Sequence, residues 1–345
     1  MGIFQQNLIK NLLKIDNENR YHIIGAVSEQ DYACTNAIAK PYAGSVDLVS
    51  RNLFICNYMK TNKVDSLLAT FNISPLLAEK YAVFLVSHDW SHGIREKWRI
   101  TNITGTIYQR MHVMAARRAK INIANSRFTA SETLKLAKRR AFVVYHDCDP
   151  FYKAKISSKF EKSIIPLEDD YILYVGRVRP AYKNISSLLK TFNLFREERK
   201  NLRLIIISSD DFTWHDNEFI KKNKIRLIHL RRVPKEQVKE LYANAWVTVY
   251  PSTYEGFGSP LLEAQASGSP LITTHYGPIP EVAGKGAMYF DGSAPHLLQI
   301  LREVDDRIRS DLIHKGKENA NRFSWERTAI EIKNLISQYH SNDVK

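Results

Sequence analysis

The chain is poor in cysteine and has no long apolar stretch. Its 345 residues include three cysteines, Cys34, Cys56 and Cys148, too few and too scattered for a disulfide framework or a zinc site. No run of 18 uncharged apolar residues occurs, so no transmembrane helix is predicted. The opening MGIFQQNLIKNLLK lacks the basic start, apolar block and small-residue cleavage site of a secretion signal. A reducing, cytoplasmic setting is therefore expected. Internal repeats and low-complexity tracts are missing too. With 44% hydrophobic and 25% charged residues, the chain has enough apolar material for sizeable cores and is not a disordered protein.

Acidic residues are scarce in the first half. Residues 1–165 carry 24 Lys/Arg against 13 Asp/Glu, and the remainder 26 against 23. The stretch Arg110–Arg140 holds nine basic residues and one acid, Glu132. A solvated basic surface and a face that docks on anionic lipid both fit this asymmetry. A nucleic-acid surface would interleave exposed aromatics with the basic residues. Phe128 is almost alone there, so no nucleic-acid partner is expected.

The length suits two domains. The second half alternates strand and helix patterns: YILYVGRV, ISSLLKTFNLFREE, LRLIIIS, IRLIHL, PKEQVKELYANA, WVTVYPS, SPLLEAQASG, PLITT and AMYFD. That order predicts a parallel, doubly wound sheet. The first half also reads as α/β, with strands in YHIIGAV, YAVFLVSHD, AKINIANS and RAFVVYHD and a capped helix in SRFTASETLKLAKRR. A hinge is placed at Lys162–Glu168. The predicted division is 1–165, 166–323 and a closing amphipathic helix, 324–345, with Ser324 as its N-cap.

YEGFGSPLLEAQASG, after the strand WVTVYPS, carries the chemistry. Ligands of open parallel sheets sit beyond the carboxyl ends of the strands. Gly256 and Gly258 permit a close backbone approach, Pro260 suits a helix start and Gly268 a helix stop. The amides from Gly258 through Ser259 to Leu261 are expected to be free and to bind phosphate. Carboxylates aimed at phosphate would repel it. Glu255 and Glu263 must therefore flank the anion and accept hydrogen bonds from hydroxyls; a carboxylate matches a vicinal diol. Two such acids around a phosphate cradle predict a ligand with a sugar at each end of a diphosphate, a nucleotide-sugar. Arg177 and Lys183, beyond the first strand of this half, are the candidates to neutralise it.

EGFGSPLLE resembles the Glu-x7-Glu signature of family 4 retaining glycosyltransferases, which have the GT-B fold. YILYVGRVRPAYKN, LYANAWVTVYPSTYEGFG, SGSPLITTHYGPIPEVAGKGAMYFD and FSWERTA follow the order of that family, and VSHDW, NSRFTASETL and VVYHDCDPFY occupy the places of weaker motifs. The resemblance implies two Rossmann-like doubly wound domains facing a cleft. It implies transfer of a hexose, with mannose the best match, from a GDP- or UDP-linked donor to a glycan or lipid-linked acceptor hydroxyl with retained configuration, as in bacterial polysaccharide and lipopolysaccharide synthesis.

The same resemblance assigns Glu263 to the ribose diol and Glu255 to the donor hexose. Gly256, Phe257 and Gly258 fall in the loop at the sugar and phosphates, and Arg177 and Lys183 form the diphosphate pair, with Arg179 in place of Arg177 under a shifted alignment. Arg232 and Val233 lie in the base-reading loop, and His88 faces the donor sugar from the N-terminal domain. Metal is not required; the Asp-x-Asp of Asp147–Asp149 reads as a strand-end loop.

Three departures stand out. The start resembles the segment after the family's first strand and glycine-rich loop, so the N-terminal domain is expected to lack that strand. His146-Asp147 replaces an Asn-Gly, and Arg231 occupies a usual glycine of the base-reading loop. A catalytically impaired relative that only binds nucleotide-sugar is the alternative these departures suggest.

Overall fold

In AVFLVS, Phe84 and Val86 alternate with Val83 and Leu85, the period of a strand with two covered faces. The computed structural model describes residues 2–25, 32, 36–42, 48–70, 82–87, 90, 103–154 and 170–343. The chain forms two units, 1–146 with 324–345, and 147–323, where a boundary at 165/166 and a separate closing helix were expected. The hinge placed at Lys162–Glu168 and the candidate His88 lie outside the described residues.

The first unit contains α1 (Ile3–Ile15), β1 (Tyr21–Gly25), β2 (Ala37–Pro41), α2 (Leu48–Thr61), β3 (Ser66–Ala69), β4 (Ala82–Ser87), α3 (Ile103–Arg118), β5 (Ile121–Ala124), α4 (Arg127–Ala137) and β6 (Ala141–Val143). Strands β3-β4-β5-β6 form one parallel sheet, and β1 pairs with β2 alone. Phe84 and Val86 pack with Leu8 and Leu12 of α1, Ile123 and Val144. Leu85, on the other face, meets Trp90 and the alanines Ala115, Ala116, Ala119 and Ala137.

The closing helix, α12 (Trp325–Asp343), buries Trp325, Ala329 and Ile332 in the core around Leu8 and Phe84; that burial makes it part of the first unit. Ser324 caps it through a bond from the Arg327 N–H to Oγ at 3.4 Å. Fully buried Asp16 ties α1 to α12: it accepts from Tyr21 Oη at 2.6 Å, from Asn19 Nδ2 at 2.7 Å and from the Glu18 N–H at 3.0 Å, and lies 3.3 Å from Lys333 Nζ. Burial pushes its carboxyl up, but these hydrogen bonds outweigh that and hold it well below the usual carboxylate range.

The second unit runs β7 (Tyr171–Val175), α5 (Ile185–Glu198), β8 (Arg203–Ile207), α6 (Trp214–Lys222), β9 (Leu227–Leu230), α7 (Lys235–Asn244), β10 (Val247–Tyr250), α8 (Ser259–Ala266), β11 (Leu271–Thr274), α9 (Ile279–Ala283), β12 (Met288–Phe290), α10 (Ala294–Glu303) and α11 (Asp306–Ala320). His215 sits in α6. The sheet is parallel throughout, in the order β12-β11-β10-β7-β8-β9. From β7 the chain winds outward through β8 and β9, then returns to β10 on the other side. The reversal between β7 and β10 is the topological switch point, where the two strand-end loops part and leave a crevice. Leu188, Leu189, Phe192 and Phe195 of α5 are buried, each stabilising the unit by about 1.5–3 kcal/mol.

Candidate active site

Two loops leave the sheet at the switch point. After β7 the chain runs through Gly176 and Arg177 to a 3-10 turn, Ala181–Lys183. After β10 it runs through Pro251 to Gly258. The two are stitched at one carbonyl: Tyr182 O accepts from the Thr253 N–H at 2.7 Å, Thr253 Oγ1 at 3.2 Å and Ser252 Oγ at 3.3 Å.

This stitching brings Lys183 to Glu255. Lys183 Nζ donates to Glu255 Oε1 at 2.6 Å and to Tyr250 Oη at 3.1 Å, and Tyr250 Oη donates to the same Oε1 at 2.8 Å. The ammonium also lies 5.3 Å from the Tyr250 ring centroid and 5.5 Å from that of Tyr182. Among the described residues two of its three donors are used, which leaves one N–H for an anion. Glu255 Oε2 has no protein hydrogen bond among the described residues. On the other side of the crevice, Arg177 Nε bonds Asp210 Oδ2 at 3.1 Å. Exposed Arg179 makes no ion pair among the described residues.

Gly258 caps α8 at φ 96°, ψ 52°, a conformation that favours glycine. A Cβ there would stand 2.8 Å from Leu261 Cδ1. Ser259 is the first helical residue and Pro260 the second. The expected row of free amides is shorter than the sequence suggested. Pro260 has no N–H, and the Leu261 N–H bonds the Gly258 carbonyl at 2.9 Å because the first turn is tight. The N–H groups of Gly258 and Ser259 have no protein acceptor among the described residues. The Phe257 side chain is buried, edge-on to Phe323 at 5.9 Å, so only its main chain can serve a ligand. Gly256 is buried as well.

Glu263 is half-buried on α8, and its carboxylate makes no protein hydrogen bond or ion pair among the described residues. Desolvation, then the charge of Asp149, pushes its pKa up to about 7, with Lys235 pulling the other way. Asp149 caps the short turn Pro150–Tyr152 by accepting from the Phe151 N–H at 3.1 Å, and it pairs with Lys235 Nζ. Asp147 pairs with Lys153. Among the described residues no group of His, Cys, Asp or Glu is arranged to hold a metal ion. The base-reading candidates sit between β9 and α7: Arg232 is exposed at φ 52°, Val233 is half-buried, and Arg231 pairs with Asp211. The left-handed backbone that suits glycine thus falls at Arg232, one residue after the expected Arg231.

Glu255, Lys183 and Gly258 are thus brought to one crevice, Arg177 and Arg179 to its β7 side. The sequence did not single out Tyr250, Asp210 or Lys235, and it read Asp149 only as part of a strand-end loop. Tyr250 ends a buried strand and reads as core; Asp210 and Asp149 are acids in polar loops and Lys235 opens a surface helix, and only the fold reveals their partners.

The parallel six-stranded sheet with its switch-point crevice and the second α/β unit are those of the GT-B fold. HepE of Anabaena, solved in complex with UDP and glucose, superposes with a TM-score of 0.71 at 15% identity, over 98% of this chain and 96% of that one. WaaG, a glycosyltransferase involved in lipopolysaccharide biosynthesis, gives 0.72 at 13% identity, over 97% of this chain and 95% of that one. The family model for glycosyl transferases group 1 matches residues 155–298. The O-antigen chain mannosyltransferase B of Escherichia coli is 36% identical over 167 residues, 45% of this chain and 42% of that protein. A D-inositol 3-phosphate glycosyltransferase of Corynebacterium glutamicum is 31% identical over 196 residues, 52% of this chain and 46% of that protein. Each match spans less than half the length of these curated relatives.

Proposed function

We propose that the protein is a retaining glycosyltransferase that moves a hexose, mannose in the first instance, from a GDP- or UDP-linked donor to a glycan or lipid-linked acceptor hydroxyl. The observation that carries this reading is the turn after β10. It offers two unsatisfied amides at a helix start, flanked by two carboxylates with unused acceptor oxygens. A diphosphate fits the amides and the remaining Lys183 N–H. Glu255 Oε2 accepts from the hexose and Glu263 from the ribose diol.

During transfer, charge builds on the departing diphosphate. Lys183, Arg177, Arg179 and the helix start stabilise it, and such preorganised dipoles and charges are often the largest catalytic term. The leaving phosphate oxygen takes the acceptor's proton on the same face of the sugar, so no protein base is needed and the configuration is kept. His88 is assigned to the donor sugar by resemblance alone. Asp147 and Asp149 have lysine partners, and the reaction is proposed to need no metal.

The relatives' names, O-antigen mannosyltransferase and inositol-phosphate glycosyltransferase, support polysaccharide or glycolipid synthesis. No helix among the described residues is long and apolar enough to cross a membrane. Peripheral attachment at the cytoplasmic membrane face is proposed from the surface of α3 and α4. Exposed Ile107, Arg110, Met114 and Arg118 follow one another along one side of α3, a basic and apolar stripe suited to an anionic interface.

The test is a screen of sugar nucleotides by thermal stabilisation and by slow donor hydrolysis. One sugar nucleotide is expected to stabilise the protein and to be hydrolysed; stabilisation by none of them would refute the reading.

A further inference from the structure

Two tyrosines end up face to face at the switch point. Tyr174 of β7 and Tyr250 of β10 are buried, 0% and 2% exposed, and their rings stack at 6.2 Å and 16°. Each hydroxyl leaves the stack toward a different strand-end loop. Tyr174 Oη donates to the Arg177 carbonyl at 2.6 Å. Tyr250 Oη donates to Glu255 Oε1 and accepts from Lys183 Nζ. Gly176 leaves room for the first of these bonds: it sits at φ 151°, and a Cβ on it would come within 3.0 Å of Tyr174 Oη.

We propose that this stacked pair are positioning residues of the donor site, with Tyr250 setting the place of Glu255 and Tyr174 that of the Arg177 loop. The proposal rests on the donor-site reading above. Its logic is geometric. Lys183 and Tyr250 both bond Oε1, so the carboxylate has two fixed points on one oxygen and presents the other to the sugar. Without the phenol, the carboxylate turns about its single bond to Lys183, and the hexose loses a placed acceptor. The diphosphate is little affected, since the ammonium keeps its bond to Glu255 and its place over the ring. Burial and the neighbouring Glu255 charge hold the Tyr250 phenol protonated, so it remains a donor across the working pH range. On the β7 side, Tyr174 fixes the backbone from which Arg177 projects. Arg177 serves the part of the donor common to every sugar nucleotide.

The two tyrosines therefore predict different losses. Binding of GDP and GDP-mannose, with UDP and UDP-glucose in parallel, is measured by calorimetry on the full chain. Tyr250→Phe keeps the ring and removes the hydroxyl. Its Kd for the sugar nucleotide is expected to rise about five- to tenfold, while that for the nucleoside diphosphate changes less than about twofold. In a Glu255→Gln background the same change is expected to add nothing, because its effect runs through that carboxylate. Tyr174→Phe is expected to raise both constants by one common factor and, unlike a packing defect, to add nothing to them in an Arg177→Ala background, because its effect runs through that arginine.

A tyrosine with only a packing role would shift the melting temperature and both constants together. Equal shifts in the two constants, or none, for Tyr250→Phe overturn the proposal. Wild-type chain that binds none of the four probes refutes the donor-site reading itself; wild-type binding with an insensitive Tyr250→Phe refutes the tyrosine assignment alone.

Discussion

Lys183 Nζ lies 2.6 Å from Glu255 Oε1, with the two side chains 10% and 13% exposed. A pair so sheltered is costly to break from one side, because the survivor keeps an uncompensated charge. Lys183→Met is expected to lower stability by about 3 kcal/mol and to remove most nucleoside-diphosphate affinity. Adding Glu255→Gln to that variant should recover much of the stability and none of the affinity. Urea unfolding and calorimetric titration with GDP and UDP check the two halves separately; if the double variant regained binding, Lys183 would not be a diphosphate contact.

Glu263 gives a prediction with a sign. Its folded pKa, about 7, stands above an unfolded value of about 4.3. Between those values the folded state holds a proton that the unfolded state has lost. Stability therefore falls as pH rises through that window and stays reduced above pH 7, by up to about 4 kcal/mol. Glu263→Gln should melt higher than wild type at pH 8, with the gain fading toward pH 5. The ribose diol needs the ionised acid, so wild-type nucleotide affinity should strengthen as pH rises through 7. Glu263→Gln should flatten that profile and weaken binding about tenfold. A wild-type affinity that weakens between pH 6 and 8 would contradict the assignment.

Arg177 and Arg179 separate by their partners. Arg177 is already paired with Asp210, whose side chain is 16% exposed, while Arg179 has no ion pair among the described residues. Binding a diphosphate costs Arg177 part of an existing bond. Arg179→Ala is therefore expected to weaken GDP or UDP binding more than Arg177→Ala, about tenfold against about threefold. Isothermal titration of both variants settles the order, and the reverse order would make Arg177 the principal contact.

The geometry of the turn after β10 was legible because it rests on residue types that few other arrangements need. A glycine with φ 96°, a proline in the first turn and two acids eight apart leave little freedom of interpretation. The parallel sheet was legible for the same reason, since runs such as YILYV and RLIII are buried on both faces. Helix α11 was not. Its buried residues are Leu312, Gly316, Asn319 and Ala320, spaced as a helix face but only half apolar, so hydrophobic periodicity misses it. The helices α2 and α3 escaped for a related reason, with polar and apolar residues mixed around them. The placement of α12 was hidden too, because an amphipathic pattern shows that a face is buried and not against what.

The Asp147-Cys148-Asp149 segment gives a prediction about metal. Both acids have lysine partners, Lys153 and Lys235, so neither charge calls for a cation. Chelation by EDTA should leave nucleotide affinity unchanged, and added Mg²⁺ or Mn²⁺ should move the melting temperature by less than about 1 °C at millimolar concentration. A nucleotide affinity that falls with EDTA and returns with Mn²⁺ would show that the diphosphate is held through a metal.

The basic surface of the first unit makes the last prediction. Arg117 and Arg139 are partly spent inside the protein: Arg117 Nε bonds the Ala137 carbonyl at 3.3 Å, and an Arg139 guanidinium nitrogen bonds the Ala119 carbonyl at 3.0 Å. These two brace α3 and α4, and their loss would confuse folding with docking. Arg110 and Arg118 are exposed beside Ile107 and Met114. Each such cation contributes about 1 kcal/mol near an anionic surface, so reversing both should weaken vesicle binding by at least about thirtyfold. Flotation with phosphatidylglycerol vesicles at low salt reads this out. Wild-type protein should float, Arg110→Glu/Arg118→Glu should stay in solution, and Ile107→Ser/Met114→Ser should float less firmly. Because surface attraction is screened within a Debye length, raising the salt should release the wild type, with the apolar pair retaining what remains. Equal flotation of wild type and the charge-reversed variant would leave the stripe a solvated face.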